Sequence, residues 1–286
     1  MDLTALVCDV DDFVIQQNKG LKILETRKRP IFRLSISEIM TICIAYHASG
    51  YKNFKAFYRN YVIPYLLQQF PNLVSYNRFV ELKVNAILSL AAYLKSRFGT
   101  CSGISFMDST TIQACKPKRM SRHKTFQNIA KKGKSTIGWF FGFKAHILIN
   151  ENGELLAATL TPGNVDDRTP VREMTENITG NLYADKGYIC KKLTDDLLKR
   201  GLNLMTAVKK NMKAKLLSMV DKILLRKRSI IETVNDQLKN ISNLEHSRHR
   251  SLKNFIVNFL CSLIAYTHQD KKPSISRLER NLLITN

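Results

Sequence analysis

Apolar positions fall at helical spacing near the start of the chain, through Ile36, Ile39, Met40, Ile42 and Cys43. From Gly103 the pattern changes to short runs of Ile, Phe, Leu and Thr separated by Gly and Asn. The first pattern predicts a helical region over residues 1–100. Ser35-Ile36-Ser37-Glu38 reads as a capping box, in which hydroxyl and carboxylate satisfy the free donors of a helix start. Two further helices are expected in KNFKAFYRNYVIPYLLQQF and RFVELKVNAILSLAAYLKSRF, with Pro71 and Asn72 between them. Such a region has the size of a helix-turn-helix module and carries Lys52, Lys55, Arg59, Arg78 and Lys83, so it is read as DNA binding. A helical brace packed on the rest of the protein is the alternative.

The second pattern predicts strands in GISFMDST, GWFFGFKAHILI and ELLAATLT, the last two joined as an antiparallel hairpin by the tight-turn signal NENG. A helical segment DRTPVREMTENI, a strand NLYADKGY, a helix KKLTDDLLKRG and a strand NLMTAVKK follow. Strand–helix–strand repetition adds parallel neighbours to the hairpin, so residues 101–286 are expected to form an α/β domain, a mixed sheet flanked by helices. A basic run KKNMKAKLLSMVDKILLRKR, a helix holding Glu232 and an apolar helix in SLKNFIVNFLCSLIAY complete the chain.

Charge narrows the possible partners. Among 286 residues, 45 Lys and Arg against 23 Asp and Glu leave a formal charge of +22, which attracts a polyanion. Nucleic acid is the expected partner. A membrane is not, because neither MDLTAL nor LLITN is amphipathic and basic, and the apolar stretch from Phe255 to Tyr266 is too short to cross a bilayer. With Asp2, Asp9, Asp11 and Asp12 where a leader would be basic, a cytoplasmic protein is expected. The 6 cysteines are scattered and read as reduced thiols. His246 and His249 have metal-binding spacing but lie in HSRHRS, where a surface or phosphate-facing role is preferred.

Candidate chemistry lies in three acids. Asp108 is read as closing the first strand in F-M-D-S-T, and Asp185 as closing the fourth in L-Y-A-D-K-G-Y. If those strands are neighbours, both acids meet at one end of the sheet, where open sheets place their sites. Glu232 shares a helical face with Arg228 and Lys239. Converging carboxylates suit hard divalent cations, and two such ions can assist an in-line phosphoryl displacement. Between Asp108 and Glu151 there is no acid, whereas Lys116, Lys118, Arg119, Arg122, Lys124, Lys131, Lys132 and Lys134 fall in that interval, read as a clamp on a nucleic-acid backbone. Asn164 and Asp167 are read as a loop pin and a helix cap, Trp139 as core or a base-stacking residue with core preferred, and His146 as a hydrogen-bonded core histidine.

Five stretches carry a resemblance: S-F-M-D-S-T, G-W-F-F-G-F-K-A-H-I, T-P-G-N-V-D-D-R, Y-A-D-K-G-Y, and R-x-x-x-E-x-x-x-x-x-x-K from Arg228. In order and spacing they resemble bacterial insertion-sequence transposases with a ribonuclease H-like catalytic domain, and more closely the insertion sequence 982 family. The resemblance implies a DDE transposase whose metal ligands are Asp108, Asp185 and Glu232, holding two Mg2+ ions for which Mn2+ can substitute. It implies that Arg228 and Lys239 contact DNA near the reacting phosphate, and that a homodimer brings together two terminal inverted repeats and target DNA near the bacterial nucleoid. Hydrolysis at the element's end would free a 3′-hydroxyl, which then attacks the target. The chain departs from related families at Leu225, where a Tyr often stands three positions before the Arg. A metal-dependent nuclease without strand transfer, or an inactive nucleic-acid-binding relative, remain alternatives.

Overall fold

A computed structural model of the chain describes residues 2–21, 34–136, 138–207, 217–245 and 249–275. His246, residues 209–216 of the basic run, the end of the strand expected at NLMTAVKK, and LLITN lie outside the described residues. The chain divides into two compact units, one of residues 1–97 with 237–270 and the other of residues 98–236 with 271–286.

The helical reading of the first hundred residues holds, with α1 at Leu3–Leu21 and α2 at Ile36–Ala48. The capping box forms: Glu38 N–H donates to Ser35 Oγ at 3.1 Å, and Ser35 N–H donates to the Glu38 carboxylate at 2.6 Å. The helix expected over residues 52–70 runs without interruption from Phe54 to Tyr65, as α3 (Phe54–Phe57), a π-helical turn (Tyr58–Val62) and α4 (Ile63–Tyr65), in which Pro64 has no N–H to donate back along the helix. The next stretch forms α5 (Tyr76–Leu82), a 3-10 turn (Lys83–Ala86) and α6 (Ile87–Ser96).

The strand-bearing unit begins with β1 (Ile104–Cys115), followed by a 3-10 turn (Pro117–Arg122), β2 (Lys131–Ser135), β3 (Gly138–Asn150) and β4 (Leu155–Pro162). Then come α7 (Val171–Met174), β5 (Gly180–Ala184), a 3-10 turn (Lys186–Tyr188), α8 (Lys191–Leu198) and β6 (Leu202–Thr206). Helices α9 (Met219–Lys227), α10 (Ser229–Asn240) and α11 (Leu252–Thr267) complete the described elements. The sheet runs β2-β3-β1-β5-β6, with β4 also on β3. Long β3 pairs antiparallel with β1 along one edge and divides its other edge between β2 and β4. Strands β1, β5 and β6 are parallel. This is the mixed sheet flanked by helices, with a helical N-terminal region, expected of a ribonuclease H-like fold.

Local chemistry explains the hairpin. Asn150 Oδ1 accepts from the N–H groups of Asn152 and Glu154, both at 3.0 Å, and Gly153 supplies the left-handed residue at φ 72°. Strand β2 escaped the pattern reading because K-K-G-K-S has no apolar face; its pairing partner β3 makes it a strand. Gly142 is required where three strands crowd, since a Cβ there would collide with the Ile112 carbonyl oxygen. The helical stretch expected in DRTPVREMTENI shrinks to the single turn of α7.

Helices cover both faces of the sheet. Leu182 and Ala184 of β5 join Val171, Met174, Leu193 and Leu197 in one core, placing α7 and α8 on that face. Tyr183 points the other way, against Phe106 at 5.6 Å between ring centroids, and its hydroxyl donates to Asp221 of α9 at 2.8 Å. Helix α11 belongs to the other unit, where it packs on α2 and α6. Residues 261–267 are all buried, so an apolar helix of this kind needs partners on every side, which neighbouring helices supply.

Candidate active site

Parallel pairing of β1 with β5 decides where two of the acids go. Phe106 stands opposite Tyr183, so Asp108 and Asp185, each two residues further on, leave the paired region at the same level. Asp185 follows the last residue of β5, as expected. Asp108 does not end its strand. Strand β1 continues to Cys115 because Ser109 to Cys115 still pair with β3, so Asp108 lies within a strand that outruns its parallel neighbour.

Glu232 is exposed on α10, and Arg228 at the α9–α10 junction donates to it at 2.7 Å. The buried stripe of α10 is Ile231, Val234 and Leu238, which fixes the helix rotation and leaves Glu232 and Asp236 outward. Within that stripe sits Asn235, whose side-chain N–H2 donates to Asp108 Oδ2 at 3.1 Å. This residue went unnoticed in the sequence. The available signal was a polar residue at the i+4 position from Ile231, on the face that periodicity makes apolar.

Burial, with smaller contributions from the charges of Glu232 and Asp185, raises the Asp108 pKa to about 6 against the opposing pull of the Ser109 N–H and Arg228. The charges of Glu232 and Asp185 therefore reach Asp108. Tyr188, buried beside them, is held protonated first by burial and then by the charges of Asp108 and Asp167. Among the described residues, however, no three His, Cys, Asp or Glu side chains are placed as a ready metal cage. Arg228 occupies Glu232 and Asn235 occupies Asp108 instead. The donor set itself is right for a hard divalent cation: carboxylate oxygens whose mutual repulsion a cation would relieve.

The T-P-G-N-V-D-D-R turn is pinned, but by different bonds from those expected. Asp167 caps no helix; it accepts from Lys144 Nζ of β3 at 2.9 Å, and the same ammonium donates to the Val165 carbonyl at 3.0 Å. Asp166 is tied to Arg168, and Asn164 is exposed. His146 is the hydrogen-bonded core histidine expected, with Nε2 at 2.8 Å from Thr161 Oγ1, and burial lowers its pKa to about 4. Trp139 is not core. It is 56% exposed on β3, with Lys132 Nζ 4.4 Å and Lys134 Nζ 5.9 Å from its ring centroid.

Lys116, Lys118, Arg119, Arg122 and Lys124 are all exposed on and around the 3-10 turn after β1. Lys131, Lys132 and Lys134 are exposed on β2. Among the described residues none of these cations pairs with a carboxylate. Lys239 lies in the helical unit, 3.4 Å from Glu245.

Comparison with known protein families matches residues 98–252, more than half of the chain, to the Transposase DDE domain. The chain belongs to that family. The matched span begins just before β1 and ends at the first residue of α11, taking in Asp108, Asp185 and Glu232. Membership makes this transposase domain a nucleic-acid-processing enzyme with DNA as partner, and the family implies use of divalent metal. No curated protein matches the chain. No helix among the described residues is long and apolar enough to cross a membrane.

Proposed function

We propose that this DDE transposase cuts DNA at the ends of an insertion sequence and joins the freed 3′-hydroxyl to target DNA, as a member of the insertion sequence 982 type. The observation that carries the reading is the β1–β5 register, which sets Asp108 and Asp185 level on adjacent strands inside the family-matched region. Asp108, Asp185 and Glu232 would hold two Mg2+ ions, with Mn2+ able to substitute. When bound, such ions activate the attacking oxygen and neutralise the leaving one.

The chain's own residues do the rest. Asn235 holds Asp108 in place by its amide, and the Tyr183–Asp221 bond anchors α9, the helix that leads into Arg228. Arg228, now paired with Glu232, is positioned to turn to a DNA phosphate when Glu232 takes up a metal. The unpaired cations of the β1–β2 connection and of β2 grip the backbone, and Trp139 offers an exposed ring to an unstacked base. Helices of residues 1–97 would select the terminal repeats, and two copies would synapse two ends.

Strand-transfer assays on oligonucleotides bearing the element ends test the reading. Glu232→Gln keeps the shape but removes a charge, so cleavage and joining should fall by orders of magnitude, about 100-fold or more, while DNA binding persists. Asp236→Asn should cost far less. Cleavage by the wild type without joining would make the protein a nuclease.

A further inference from the structure

The helical unit contains a cavity of about 920 Å³, within the size range of small-molecule sites, which the proposed DNA chemistry does not use. It is lined by α2, α3 and the turn before it, α5, the 3-10 turn that follows α5, and α11 with the residues just before it. Lys83 from that 3-10 turn is 9% exposed, and among the described residues it meets no carboxylate and no hydrogen-bond acceptor. Its Nζ instead lies 4.6 Å from the Phe54 ring centroid.

The stem of Lys83 is buried, and its ammonium, with an aromatic ring as neighbour and no described carboxylate beside it, gives the cavity wall a cationic position open to an anion. Lys52, Lys55 and Arg250 add exposed cations at its edge. Among the described residues the one lining acid, Glu81, is taken by Arg78 at 2.8 Å. His47 and His249 also line the cavity and bring no charge: burial first, then the Lys83 cation, lowers their pKa values to about 4 and about 3. Asn254, on α11, has a buried side-chain oxygen without a partner, and its amide can turn to present N–H groups instead. Tyr76 adds a half-buried aromatic ring, with Lys55 Nζ 5.9 Å from its centroid.

Cation, amide and aromatic ring together match a phosphate carried on a planar base. We propose that this cavity binds a single nucleotide, its phosphate at Lys83 and its base against the Phe54 and Tyr76 side. The inference rests on the DNA-processing reading only for the source of the ligand: a nucleotide unstacked from a bound strand or a free mononucleotide presents the same chemistry.

The test uses the full chain with dAMP, inorganic phosphate and a short single strand carrying 5-iodouracil, together with the variant Lys83→Met. Without ligand, Lys83→Met should keep the fold and melt close to the wild type, because the apolar stem stays in place. Its affinity for dAMP should be roughly tenfold or more weaker, the scale of one lost charge-assisted hydrogen bond. Photo-crosslinks from the single strand should map to Tyr76 or Phe54 and disappear in the variant, which identifies a strand nucleotide as the source. Saturable dAMP binding without those crosslinks identifies a free nucleotide. The proposal is overturned if Lys83→Met binds dAMP like the wild type, or if inorganic phosphate binds as tightly as dAMP. Asp108→Asn separates the two readings, since it should abolish cleavage and leave dAMP binding unchanged; a wild type that binds dAMP through Lys83 but never cleaves DNA defeats the transposition reading alone.

Discussion

Replacing Asp108 by Asn should stabilise the protein while destroying its activity. The carboxyl is partly buried and its pKa is raised from 3.8 to about 6, chiefly by desolvation. An acid whose folded pKa lies above its unfolded value costs nothing below the unfolded pKa, and its penalty is complete once pH exceeds the folded one. At pH 7.5 that difference corresponds to roughly 3 kcal/mol in favour of an uncharged side chain. The Asn oxygen can still accept from Asn235, so that hydrogen bond survives the substitution. Denaturant unfolding of both proteins in metal-free buffer, at pH steps from 4 to 8, measures the effect. The gain in Asp108→Asn should be near zero at pH 4, grow between pH 4 and 6, and stay level above. Adding Mg2+ should narrow the gap by stabilising the wild type alone. A variant less stable than wild type at pH 7.5, or a gain independent of pH, would refute the argument that burial strains this acid.

DNA affinity should fall steeply with salt, by about 0.9 in log–log slope for each phosphate contact on a duplex. Neutralising Lys116, Arg119 and Arg122 together should flatten that slope by up to roughly 3 and weaken all sequences alike; an unchanged slope in fluorescence anisotropy removes this segment from the interface. Trp139→Ala should leave the melting temperature nearly unchanged and weaken single-strand binding roughly tenfold, the scale of one lost base stack, whereas a lowered melting temperature with unaltered binding would give the exposed ring a structural role.

Much of this protein could be read from one dimension. Period and punctuation are local properties, so the β3–β4 hairpin, the capping box at Ser35 and the parallel units around Asp185 followed from residue order alone. The charge balance points to a polyanion; Asp108 and Asp185 stand out by their place after apolar strand segments, and Glu232 by the Arg and Lys on its helical face. Partners distant in sequence were not legible. Asn235 reaches Asp108 across 127 positions, and Asp167 finds Lys144 rather than a helix end, because only the packed sheet and α10 bring those atoms together. Strand β2 has no pattern of its own and exists through the edge of β3. Trp139 reads as core by its size and neighbours, yet it is exposed beside two lysines that the β2–β3 pairing brings to it. An apolar helix at the end of the sequence declares that it must be buried, but not against what; packing on α2 and α6 settles that for α11. Composition and periodicity thus determined most of the elements and the candidate chemistry, while tertiary structure made β2 a strand and decided every contact whose energy depends on residues far apart in the chain.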